Sequence, residues 1–68
     1  MTLADAIAHA LDETDPYKQG AMIAEVADFM RFRMGWNYHA SFAAVRKVQP
    51  AITLAVWDEL LALADYQH

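Results

Sequence analysis

Residues 31–42 read RFRMGWNYHASF, two arginines, a histidine and four aromatic rings gathered around Gly35. Ahead of that glycine, Met22, Ile23, Val26, Met30 and Met34 recur at helical spacing, with Phe29 alongside. Glycine takes left-handed backbone without steric cost, so Gly35 reads as a helix stop. Just beyond it, Asn37 or Ser41 can offer a side-chain oxygen to the free amides of a new helix, whose stripe is Tyr38, Phe42, Val45 and Val48. The segment therefore joins two helices, and the chain around it is read as helical throughout.

Working outward, the same punctuation recurs. Thr2 with Asp5 three residues later forms a capping box, and Leu3, Ile7 and Leu11 with Ala4 and Ala8 give one apolar stripe. In ETDPY, Thr14 or Asp15 can cap while Pro16 supplies the fixed φ of a first turn. Gly20 weakens the second helix by about 1 kcal/mol relative to alanine unless another backbone packs against it. Pro50 ends the third helix, and the last begins at Pro50 or at Thr53. The expectation is an all-α, single-domain bundle of three to four helices over residues 1–68, with helices at about 2–13, 15–34, 38–48 and 51–66.

The last of these helices has an unusually wide apolar face. Ile52, Val56, Leu60 and Leu63 lie on one line, and Leu54, Trp57, Leu61 and Ala64 on the next. Two adjacent large stripes suit either a central helix surrounded by the others or a face shared with another molecule. Leu54, Trp57 and Leu61 are accordingly one candidate interface, for a homodimer or an obligate partner.

Composition narrows the class of function. A chain of 68 residues holds one small core, and with no cysteine it has neither a disulfide nor a thiolate metal site to reinforce it. Hydrophobic residues make up 57 %, fourteen of them alanine, which favours close helix packing. The opening MTLADAIAHALDETD has no basic region and carries Asp5 and Asp12 among its apolar residues, so it is not read as a signal peptide. No apolar run is long enough to span a bilayer, and a cytoplasmic, soluble protein is the expectation.

The formal net charge of −4 argues against life on a nucleic-acid backbone, yet it conceals a pattern. Acids dominate residues 1–28, and between 29 and 57 there are Arg31, Arg33, Arg46 and Lys47 with no acid at all. One reading of the central segment is structural: the cations complement helix C-termini, and Phe32, Trp36, Tyr38 and Phe42 fasten two helices across a turn. The other makes Arg31, Arg33, Trp36, Tyr38, His39 and Arg46 a cationic aromatic patch that binds a partner. Protein is favoured over single-stranded nucleic acid, because a protein hot spot needs only two or three anchors whereas a polyanion needs many cations.

Other chemistries fit poorly. Residues 41–63 have the proportions of a helix-turn-helix, but the would-be recognition helix begins AITLAVWDE and offers no arginine, lysine, asparagine or glutamine to read bases. With one serine and no glycine-rich phosphate loop, the chain lacks the usual parts for nucleophilic or nucleotide chemistry, and no catalytic residue or cofactor is assigned. Asp5, His9 and Glu13 share one face of the first helix at ligand spacing, but that face lies opposite the apolar stripe and reads as solvated, so no metal is assigned. In size, acidity and cysteine-free helical character the chain is similar to bacterial immunity proteins, antitoxins and phage-encoded inhibitors of host defence, groups with which it shares no motif. The function expected is a stoichiometric module occluding a surface of a larger protein or complex, with a nucleic-acid-binding helical protein as the alternative.

Overall fold

Each helix begins at a side-chain cap. In the computed structural model, which describes residues 1–67 with side chains through Asp65, α1 spans Leu3–Asp12. The Thr2 hydroxyl accepts from the Asp5 amide while the Asp5 carboxylate accepts from the Thr2 amide, the reciprocal pair of a capping box. α2, Pro16–Asp28, starts at Asp15, whose carboxylate accepts from the Tyr17 amide at 2.9 Å. α3, Tyr38–Val48, is capped by Asn37, which accepts from the Ala40 amide at 2.8 Å. α4, Leu54–Gln67, is capped by Thr53, whose hydroxyl accepts from the Val56 amide at 3.2 Å. All elements among the described residues are helical.

Of the two starts expected for the last helix, Thr53 is the one used. Residues 50–53 form a turn in which the Ile52 amide donates to the Gln49 carbonyl. Ile52 and Trp57 then occupy the positions just before the cap and four residues after it, and both are buried in the core, the arrangement of a hydrophobic staple.

α2 is the central element, packing against both α4 and α1, while α3 touches α1 and the end of α2. The core consists of Ile7 and Ala10 from α1, Ile23, Ala24 and Val26 from α2, Met30, Val45, Ile52, Trp57 and Ala64. Two registers differ from the sequence reading. In α1 the buried line turns toward Ala6 and Ala10 instead of Ala4, because Ala10 lets the neighbouring helix approach closely. The junction is drawn tighter by Gln19 of α2, whose amide donates to the carbonyls of Ala10 and Leu11 that α1 leaves free.

The second difference shapes the surface. α2 does not run regularly to Met34; from Phe29 to Arg33 it widens into a π turn, with the Met34 amide donating to the Phe29 carbonyl five residues back. The extra residue sets the following side chains back by about 100° relative to a regular α-helix. Met34, expected in line with Met30, is turned outward instead, and Phe29 and Phe32 are exposed as well.

Candidate interaction site at the π turn

The π turn ends at Gly35, whose φ of +69° lies in the left-handed region expected for a helix stop. In the usual glycine-terminated cap the second residue past the helix bonds back five positions. Here the Trp36 amide donates to the Met30 carbonyl six positions back, at 2.9 Å, so the cap has absorbed the extra residue. Trp36 is thereby folded back against the core and half-buried, while the segment before the glycine is pushed into solvent.

Phe32 carries the largest consequence. It is 69 % exposed, between Arg31 and Arg33, which are also exposed. The Arg31 guanidinium lies 5.1 Å from the centre of its ring, a cation–π contact that holds charge and ring together as one unit. The structural reading of the aromatics therefore holds for Trp36 and Phe42, both packed against the core, and fails for Phe32.

Beside this protrusion is a pocket of about 410 Å³. It is lined by the half-buried Ala27, Trp36, Ser41 and Leu61 and the exposed Asn37 and Tyr38, with the fully buried Met30 and Trp57 beneath them. Asp28, Arg31 and Asp65 complete the lining and are exposed. The Tyr38 hydroxyl donates to the Asp58 carboxylate, tying the first turn of α3 to α4 and fixing Tyr38 in the lining. That hydrogen bond, followed by desolvation and the Asp58 charge, holds the Tyr38 phenol above its ordinary pKa.

The fold gathers some of the six residues of the expected cationic patch and sets Arg46 apart from them. Arg31, Trp36 and Tyr38 meet at the pocket, and His39 stands edge-on to Tyr38 with ring centres 5.7 Å apart. Arg33 belongs to the protruding turn. Arg46 is eight residues along α3 from Tyr38, about 12 Å at the helical rise, where its guanidinium lies 5.9 Å from the Phe42 ring centre and donates to the Pro50 carbonyl. It acts at the far end of its helix.

The second candidate interface loses its centre. Trp57 is 1 % exposed within the single chain, the largest fully buried side chain, because α4 packs its Trp57 line onto α2. Leu61 is half-buried and Leu54 exposed, so the wide face of the last helix is in large part this chain's own core. On α1, Asp5 serves the capping box, and Glu13 accepts from the amides of Thr14 and Asp15. Among the described residues no three His, Asp or Glu side chains are grouped to hold a metal ion. Nor is any helix among them long and apolar enough to cross a membrane.

Phe32, taken as a fastener, and Asp65 are among the residues of the site that sequence reasoning did not assign to a binding surface. The i, i+3 spacing of Asp28 and Arg31 was the only local signal, since such residues neighbour each other on a helix. Comparison of the chain with protein families, curated proteins and solved structures finds no match.

Proposed function

We propose that the protein is a stoichiometric binding module, acting in the manner of an inhibitor, antitoxin or immunity protein by occupying a surface of a larger protein or complex. The contact surface is the π turn. The observation that carries this reading is Phe32, a large ring 69 % exposed and flanked by two exposed arginines. Burying a phenylalanine side chain is worth roughly 1.5 to 3 kcal/mol, and the chain forgoes that gain within its own fold. A π turn itself departs from the most stable helical geometry and occurs frequently at functional sites. Phe29 and Met34, exposed on either side, extend the apolar contact, and arginine with aromatic residues is the composition enriched in protein interfaces.

The alternation of arginine and phenylalanine also suits a single nucleic-acid strand, with bases stacked on the ring. Asp28 and Asp65, which line the same pocket as Arg31, oppose a polyanion and so favour protein. The test is affinity capture from the native host with wild-type protein and with Phe32→Asp, each with and without nuclease, read by mass spectrometry. A protein retained by the wild type through nuclease treatment and lost with Phe32→Asp is the expected result. Loss of every partner on nuclease treatment would select the nucleic-acid reading, and capture unaffected by Phe32→Asp would refute the π turn as the contact surface.

A further inference from the structure

The protruding turn and the pocket have complementary chemistry. The turn presents an aromatic ring between two positive charges; the accessible lining of the pocket is the half-buried Ala27, Trp36 and Leu61 and the exposed Tyr38, together with the exposed carboxylates of Asp28 and Asp65. At about 410 Å³ the pocket lies within the ordinary range for sites that take up a whole organic group, ample for one phenyl ring. Phe32 does not line the pocket of its own chain. We infer that the occupant is a second copy of this chain, each protomer placing Phe32 in the pocket of its partner with Arg31 and Arg33 against the partner's carboxylates.

Placement of the two features supports a closed pair. Arg31 belongs to both, since it lines the pocket and its guanidinium lies over Phe32, so plug and socket are neighbours. A twofold axis between two such surfaces satisfies both contacts at once, whereas plug and socket on opposite faces would propagate a chain of molecules. The exposed Met34 and Tyr38 are on the same side of the molecule as the turn and the pocket wall, respectively, and add apolar area to the contact. Phe32 alone would make a small interface, so the pair is a reversible one that forms with rising concentration.

This inference rests on the reading of the π turn as a contact surface and names a partner for it. Its test is the mass of the full chain by light scattering and sedimentation from about 0.1 μM to 1 mM, a range that brackets a micromolar dissociation constant. Wild type should pass from monomer to dimer, and Phe32→Asp should weaken the dimer at least about thirtyfold, as expected for a hot-spot residue. Charge reversal gives the sharper arm. Arg31→Glu with Arg33→Glu in one chain, and Asp28→Arg with Asp65→Arg in another, should each be monomeric alone through like-charge repulsion. Mixed in equal amounts they should form a heterodimer, because both plug-and-socket contacts then join opposite charges.

Circular dichroism on each variant distinguishes lost association from lost fold. A wild type that stays monomeric across the series, a Phe32→Asp variant that dimerises as wild type does, or two folded charge-reversed variants that ignore each other would each overturn the pairing. The proposed function fails separately: a monomeric chain that still captures another protein through Phe32 retains that function and loses only the self-pairing.

Discussion

Tyr38 and Trp57 show how single side chains position the site. Tyr38 donates to Asp58 across the gap between α3 and α4, and the phenol is held above its ordinary pKa of 10.0, chiefly by that bond. A group whose pKa is raised on folding stabilises the folded state at pH below its unfolded value and loses that contribution as pH rises through the folded value. Wild type should therefore be more stable than Tyr38→Phe from neutral pH up to about 10, and the difference should shrink above it. Thermal melts of both proteins across that range check this, and a gap that stays constant into the alkaline limb would contradict it. Trp57 is the largest fully buried side chain, and its indole Nε1 has no hydrogen-bond partner among the described residues. Truncation to alanine should cost roughly 3 to 5 kcal/mol, comparable to the whole stability of so small a domain. Trp57→Phe keeps a ring in place and breaks no protein hydrogen bond, so urea unfolding should find it clearly milder; equal damage from the two substitutions would show that the indole nitrogen matters.

Elements were legible in the sequence wherever their cause is local. Thr2 caps where the spacing indicated, and Asp15 with Pro16, Asn37 and Thr53 are each one of the two positions the sequence offered, because a cap needs only amides two or three residues away. Gly35 behaves likewise, and it permits a clean prediction. A Cβ built there meets nothing within 4 Å among the described residues, so Gly35→Ala pays only for left-handed backbone, roughly 1 to 2 kcal/mol. Gly35→Asn should cost less, since asparagine tolerates that conformation, and denaturant unfolding of the two would reveal any deviation from this order. The π turn was not legible, because an extra residue in a helix leaves the periodicity before it intact and shows only in where Phe32 and Met34 finally point. The pocket was illegible for a related reason: Asp28, Trp36 and Asp65 come from three separate segments that only the packing of α3 and α4 around the end of α2 brings together.

For the whole molecule, the remaining question is how a chain of net charge −4 uses its few cations. Arg31 and Arg33 lie in the last turn of the helical run through α2, and Arg46 with Lys47 in the last turn of α3, so all complement a helix C-terminus. If that were their whole role, glutamine at Arg31, Arg33 and Arg46 should each cost a few tenths to about 1 kcal/mol, with the loss reduced at high salt. The fold divides them further. Arg31 and Arg33 flank the exposed Phe32, whereas Arg46 is engaged with Phe42 and Pro50 at the other end of α3. Stability should then fall by similar small amounts for all three substitutions, while association, with a captured partner or between copies, should fall for Arg31→Gln and Arg33→Gln and stay unchanged for Arg46→Gln. Urea unfolding at low and high salt, paired with binding measured on the same samples, separates the two roles. Loss of binding on Arg46→Gln alone would restore the broader patch suggested by sequence, and binding indifferent to Arg31 and Arg33 would confine their role to the helix ends.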